Sequence, residues 1–306
     1  IAFAGLFGAG GLRLSDDQGG EALGTVGIVH PNIPQREKWS PDKVPGHVDR
    51  LLSQTSELAA TGTVDLVVWP EIAVVYPLDT AGPVLSAASD AAGGVPVMLG
   101  INRRDGGNWF NAMVQVDPGG QMGAVYDKVH LVPFGEYIPF RLGFLRAMAA
   151  TSSNGFTAGD GVRLLDTPLG QALPLICYEG IFPRHVFRAE GRADYILLVT
   201  NDAWFGTFAG PYQHLDQARF RAAEQGLPVV RVANVGVSAV IDRFGTVRDP
   251  LGLDETGFRA ARVLSGPPTI YAQTGDLPVI AFLALAGSVL WWTRRRNTIA
   301  NARASV

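Results

Sequence analysis

The sequence predicts an α/β layered domain followed by a membrane helix, and three observations lead there. Short β-branched apolar runs alternate along the chain with stretches of helical periodicity. Hydrophobic residues make up 47% and charged residues 17% of 306, enough apolar mass for a large core and too little charge for disorder. Near the C-terminus a charge-free run, 277–292, ends on Trp291 and Trp292 and is followed by Arg294, Arg295 and Arg296.

In chain order, residues 1–12 are apolar and glycine-rich and stop at Arg13, Ser15, Asp16 and Asp17, so 1–14 read as the end of a preceding membrane segment. A buried first strand or helix is the alternative, disfavoured for a helix by the glycines. Strands are expected at 24–30, 64–69, 95–101, 110–116, 173–177, 195–200, 229–232 and 237–242, and helices at 45–60, 80–92, 182–190 and 211–225. This order layers helices on sheet faces, and no repeat or low-complexity linker divides it, so 15–276 form one domain. The glycines at 5–11 and 93–94 lack the strand, turn and helix context of a nucleotide loop.

Asp276 and Pro278 stand at helix-start positions, so a membrane helix is expected over 277–293. The sixteen apolar residues 277–292 rise about 24 Å, short of a hydrocarbon core of about 30 Å, so the arginines snorkel or the bilayer thins. A core helix rarely ends on two tryptophans and three arginines, whereas an interfacial aromatic belt followed by basic charge predicts that order. Residues 294–306 are then a cytoplasmic tail, and 15–276 lie on the extracytoplasmic face.

Charge and cysteine content narrow the function classes. The net charge is −3 and the only block of like charge is 294–296, which leaves no footprint for nucleic acid. The single cysteine, Cys177, forbids an internal disulfide, and the five histidines have no metal-ligand spacing, so neither a metal nor a cofactor is expected.

Three strand ends carry ionisable or nucleophilic side chains: VVWPE leads to Glu71, AVYDK to Lys128 and LPLICYE to Cys177. In open α/β sheets such positions converge on the ligand crevice. Each also has a plain reading: a solvated turn for Glu71, a surface charge for Lys128, an inert core thiol for Cys177. Together they form a base, a cation and a nucleophile. A thiol with a pKa of about 8.5 is mostly protonated at neutral pH. A carboxylate takes its proton, and an ammonium with the Tyr178 backbone N–H stabilises the oxyanion that follows attack. His130 and His214 are rival bases for a Cys–His pair. His214 has Gln217, Arg221 and Glu224 on nearby helix faces and reads as part of a hydrogen-bond network, while His130, two residues from Lys128, points the other way in an extended segment. Two apolar stretches, 138–150 around Phe144 and 203–212 with Trp204, Phe205 and Phe208, read either as core or as crevice-mouth loops that receive acyl chains.

The segments VVWPE, DKVHLVPFGEYIP, ICYEGIFP, NDAWFG and GPYQHLDQARFRAAEQGLPVVR resemble the nitrilase (carbon-nitrogen hydrolase) superfamily and, within it, its membrane-bound branch, the bacterial apolipoprotein N-acyltransferases. The resemblance runs from Thr25 to Arg296. It implies an αββα sandwich, with Glu71 as general base, Lys128 as oxyanion-stabilising cation and Cys177 as nucleophile. Glu136 matches a second assisting glutamate, Tyr178 and Glu179 fall on positions next to the nucleophile, and Trp39 falls on a tryptophan of substrate handling. It further implies acyl transfer from a phospholipid, through a thioester, to the N-terminal amine of a lipid-modified apolipoprotein at the bacterial inner membrane. A soluble-type amidase or nitrile hydrolase with the same three residues is the rival. The chain departs from the family in having His30 where Gln is usual and in the segment 232–239, and the family's multi-helix membrane region would end in residues 1–12.

Overall fold

The computed structural model describes residues 8, 10, 11, 20–138 and 155–304. Contacts divide the chain into two units, 1–267 and 268–306. In the first, β1 (Ala22–His30), β2 (Leu66–Val68), β3 (Val97–Asp105), β4 (Asn108–Asp117) and β5 (Gln121–Asp127) build one sheet. A second sheet follows from β6 (Leu165–Thr167), β7 (Gly170–Ile176), β8 (Tyr195–Thr200), β9 (Val229–Ala233), β10 (Ser238–Ile241) and β11 (Val247–Leu251). The last strand, β12 (Gly257–Leu264), returns to the first sheet and pairs antiparallel with β1. The orders are β12-β1-β2-β3-β4-β5 and β11-β10-β9-β8-β7-β6. Each sheet has three parallel strands at its centre, β1-β2-β3 and β7-β8-β9, with antiparallel strands outside them.

Alternation along the central strands makes the layers. Val26, Ile28, Leu66 and Val68 pack between the sheets with Leu197, Val199, Val230 and Val232. Their neighbours Val29, Val67 and Trp69 turn outward onto Leu51, Leu58 and Ala88 of the helices α1 (Val44–Ala59) and α2 (Gly82–Ala91). On the other side Leu173, Leu175, Ile196 and Leu198 meet Ala218 and Ala222 of α4 (Gly210–Gln225), which follows the short α3 (Pro183–Arg188). Both faces of these strands are buried, which is why they read as continuous apolar runs. The helices carry their own signals: proline in the first turn of α1 and α4, buried Leu51, Thr55 and Leu58 on one face of α1, and Gly226 at φ 68° closing α4. The result is the αββα sandwich.

Two differences from the sequence reading have physical causes. The strands β6, β11 and β12 were not expected. β12 buries only alternate residues and exposes Arg259, so it lacks the apolar run of a central strand and is fixed by pairing with β1, far away in sequence. Cys177, expected as the last residue of a strand, lies just beyond β7 in a 3₁₀ turn, Cys177–Ile181.

The second unit holds α5 (Ile270–Thr274) and α6 (Leu277–Ala304). The helix does not stop at Trp292, because the arginines and alanines beyond it are strong helix formers. Its segment Leu277–Arg296, 20 residues with none buried, is long and apolar enough to cross a membrane; at about 1.5 Å per residue it covers about 30 Å. Phe144 and the rest of 139–150 lie outside the described residues, as do residues 1–14 apart from 8, 10 and 11.

Candidate active site

Glu71, Lys128 and Cys177 do come together. Glu71 follows β2 across Trp69 and Pro70, Lys128 is the first residue after β5, and Cys177 is the first after β7. All three line one cavity, yet their exposures are only 7%, 1% and 8%. The solvated-turn and surface-charge readings are thereby removed. Backbone strain concentrates here: three of the five described non-glycine residues with positive φ are Ile72 (45°), Phe134 (62°) and Cys177 (51°). For a β-branched residue such as Ile72 that conformation is costly, and it is held by its surroundings. At Cys177 it turns the chain sharply out of the strand and leaves the thiol on the cavity wall.

Close packing fixes the Glu71 turn. A Cβ on Gly100 would stand 2.5 Å from the Pro70 carbonyl oxygen and the Ile72 nitrogen and 2.7 Å from the Glu71 Cα, all backbone. Gly100→Ala is therefore expected to displace Glu71. A shift of about 1 Å is enough to lower turnover by about 10²-fold, and Cys177 acylation kinetics would read it in folded protein.

Around the three residues lies a compact charge cluster. Lys128 Nζ is 2.9 Å from Glu136 Oε1 and 3.7 Å from Glu71 Oε1. Asn111, on β4, donates from Nδ2 to the same two carboxylates at 2.7 Å (Glu71) and 3.1 Å (Glu136). The Val132 backbone N–H donates to the other Glu136 oxygen at 2.8 Å. One ammonium and one amide thus hold two carboxylates that would otherwise repel.

Burial pushes the Cys177 thiol up to about 12, reinforced by the charge of Glu71 and opposed by Lys128 and a hydrogen bond with Thr200. Cys177 therefore rests as a protonated thiol, which would need a base to act as a nucleophile. Burial works against the charge on Lys128, but Glu71, Cys177 and Glu136 outweigh it and raise its pKa above the ordinary lysine value. Lys128 stays an ammonium, the state an oxyanion requires.

The other residues expected at the site divide by role. Glu136 and Tyr178 share the cavity wall, and Trp39, Trp204 and Phe205 stand at its exposed edge, half or more of Trp39 and Trp204 being open to solvent. Phe208 is 92% exposed, so the 203–212 stretch is not core. Glu179 is fully buried away from the cavity. Its Oε1 accepts from the Tyr126 hydroxyl (3.0 Å) and the N–H groups of Val129 (2.7 Å) and His130 (3.0 Å), and its Oε2 accepts from Ile176 N–H (2.8 Å). It ties the Lys128 segment to the Cys177 turn.

Both rival histidines are engaged with groups other than the thiol. His130 stacks on Phe182 at 4.2 Å between ring centroids, and its Nδ1 is 3.2 Å from His185 Nε2. His214 does sit in a network, but with partners other than those expected. Its Nδ1 is 2.7 Å from Asp202 Oδ1, Arg231 pairs with the same carboxylate, and its Nε2 lies 3.3 Å from the Cys177 carbonyl oxygen. Burial opposes the Asp202 charge, yet Arg231 and His214 hold its carboxyl below the usual range. The network therefore braces the strained Cys177 backbone through its carbonyl oxygen. Arg221 and Glu224 pair with each other instead.

Sequence reasoning missed Asn111 and Lys38. Lys38 lines the cavity and is 3% exposed, with its Nζ donating to the Glu71 carbonyl oxygen at 3.0 Å. Its only sequence signal was adjacency to Trp39. The cavity measures about 760 Å³ and its wall is mainly apolar.

The chain is 39% identical over 291 residues to the apolipoprotein N-acyltransferase of Brucella melitensis biotype 1, covering 89% of this chain and 54% of that protein. It is 40% identical over 294 residues to the apolipoprotein N-acyltransferase of Bradyrhizobium diazoefficiens, covering 88% and 53%. The chain thus spans about half the length of the curated relatives it matches. Among solved structures it resembles an amidase of the nitrilase superfamily from Nesterenkonia AN1, with a TM-score of 0.61 at 20% identity over 86% of this chain and 98% of that one. A carbon-nitrogen hydrolase from Helicobacter pylori G27 gives 0.56 at 18% identity, over 78% and 88%. At such identities the likeness concerns the fold alone. The family model for carbon-nitrogen hydrolases matches residues 25–272, and the chain belongs to that family.

Proposed function

We propose that this chain is the catalytic part of an apolipoprotein N-acyltransferase, an enzyme that moves an acyl chain from a membrane phospholipid to the N-terminal amine of a diacylglyceryl-modified lipoprotein. The observation that carries the reading is the cavity: a base, a cation and a thiol at one wall, and a wide apolar space with exposed Trp39, Trp204 and Phe205 at its edge. A small amide needs no such space. The names of the 39–40% identical relatives support the same choice.

In the first half-reaction Glu71 takes the Cys177 proton and the thiolate attacks an ester carbonyl of the phospholipid. The oxyanion is met by Lys128. Collapse breaks the ester C–O bond, the alkoxide takes the proton back from Glu71, and a lysophospholipid leaves a thioester on Cys177. In the second half the lipoprotein amine attacks the thioester, Glu71 passes a proton from nitrogen to sulfur, and the N-acylated product departs. Glu136 and Asn111 keep Lys128 and Glu71 in register throughout.

Both substrates carry acyl chains, and each buried CH₂ contributes about 0.8 kcal/mol to staying in the bilayer, so the reaction belongs at a membrane. On this reading residues 277–293 serve as anchor, and the order of tryptophans then arginines at its end supports a cytoplasmic tail 294–306 and a catalytic domain on the outer side of the bacterial inner membrane. The exposed aromatic edge receives acyl chains and screens the waiting thioester from water. Trp204→Ala is accordingly expected to raise thioester hydrolysis relative to transfer; unchanged partitioning would remove that role from Trp204.

Labelled phospholipid with a lipidated peptide separates this reading from amide hydrolysis. Label on the peptide amine supports acyl transfer. Ammonia released from small amides, with no label transferred, supports the hydrolase.

A further inference from the structure

Acylating an amine that arrives protonated releases a proton that the base of the triad cannot absorb. The acceptor ammonium has three N–H bonds and the product amide keeps one. Glu71 moves one of the other two to the departing sulfur, because Cys177 ends as a thiol and Glu71 as a carboxylate. The second needs another acceptor close to the attacking nitrogen.

We infer that Lys38, as a neutral amine, is that second base: its nitrogen takes the first proton from the acceptor ammonium, frees the lone pair that attacks the thioester, and then returns the proton to solvent. The inference rests on the acyl-transfer reading above. Its support is geometric. Lys38 lines the same cavity as Cys177 and is buried, and its Nζ is tethered to the Glu71 carbonyl 3.0 Å away. No carboxylate lies within 4.0 Å of it among the described residues, whereas Lys128, equally buried, has Glu136 at 2.9 Å and Glu71 at 3.7 Å. One lysine is therefore locked as a cation and the other is free to lose its charge. Asn102 supplies a further cue: it lines the cavity and its buried Oδ1 has no hydrogen-bond donor among the described residues, an acceptor available to an incoming N–H.

The electrostatics agree in direction. Burial lowers the Lys38 pKa to about 8, against the pull of Glu71 and Cys177. Those are the groups that act on it from the segments after β2 and β7, and His47 on α1 feels its charge in turn. Thioester formation removes the negative charge that Cys177 can carry, so acylation lowers Lys38 further, at the stage when a neutral amine is required.

The test is a pH profile of the second half-reaction. Cys177 of the full chain in detergent micelles is acylated with the p-nitrophenyl ester of a fatty acid, which bypasses the phospholipid. Transfer is then followed to an alkylamine of lysine-like basicity, pKa about 10.4. In the unaltered protein the rate should rise only to about pH 8 or below and then level off, since ammonium acceptor and neutral Lys38 coexist above that point. In Lys38→Met and Lys38→Arg it should continue to rise tenfold per pH unit toward the acceptor's own pKa, leaving both about 10²-fold slower at pH 8. Arginine keeps the charge and the hydrogen-bonding capacity, so it guards against a folding defect in the methionine variant. The inference is overturned if either variant retains the break near pH 8, or if the unaltered protein breaks only at the acceptor's pKa. Acylation by the p-nitrophenyl ester but never by phospholipid would instead count against the acyl-donor reading, while the profile still decides the role of Lys38.

Discussion

Glu71→Gln is expected to abolish most acylation of Cys177 while making the thiol more acidic. Loss of a positioned base lowers such steps by about 10²–10⁴-fold. The second effect follows from charge: after burial, the Glu71 carboxylate is the next cause holding the thiol up at about 12, so a neutral side chain of the same shape lets it fall. Alkylation by iodoacetamide across pH reads the thiolate directly. The variant should alkylate faster than the unaltered protein at pH 9 although it turns over far more slowly. Intact acylation in Glu71→Gln, with activity lost in His130→Ala, would reverse the assignment of the base.

Lys128→Met should damage both stability and chemistry. The Lys128 side chain is 1% exposed, and the side chains of Glu136 and Glu71 that it joins are 12% and 9% exposed. Removing the ammonium leaves two buried carboxylates with the Asn111 amide between them and the Val132 N–H on Glu136. Breaking a buried ion pair at one partner costs about 3–5 kcal/mol, which a thermal unfolding scan would register. Adding Glu136→Gln removes one stranded charge and should recover part of that stability without restoring acylation, whose loss is expected at about 10²–10³-fold from the missing oxyanion donor. Equal stability of Lys128→Met and the unaltered protein would contradict the cluster.

Residues at the ends of buried parallel strands announce themselves, since an apolar run such as LVVWP must stop somewhere and the polar residue that follows is placed by the strand itself. Glu71 and Cys177 were legible for that reason; Lys128 was legible at the strand end AVYDK, which closes an antiparallel edge strand. The long-range partners were not. Asn111 sits inside a strand whose neighbours give no hint that its amide will bridge two carboxylates from loops 40 residues before and 25 residues after it. His214 looked tied to its own helix, yet its partners come from Asp202 and from Arg231 on β9, brought together only by the stacking of α4 on the second sheet. Lys38 lay in a polar turn, where a buried lysine has no local signature at all. Strand β12 hid for a related reason, because an edge strand paired with β1 across the whole domain needs only alternate apolar residues.

The most direct test of the central claim, that Cys177 beside Glu71 and Lys128 takes an acyl group from a phospholipid, is the intact mass of the protein after incubation with phospholipid vesicles. The account predicts a mass increase of one fatty-acyl group that maps to Cys177, vanishes with neutral hydroxylamine and is absent from Cys177→Ala. A protein that stays unmodified while its thiol remains accessible to alkylation, or an adduct that persists in Cys177→Ala, would contradict it.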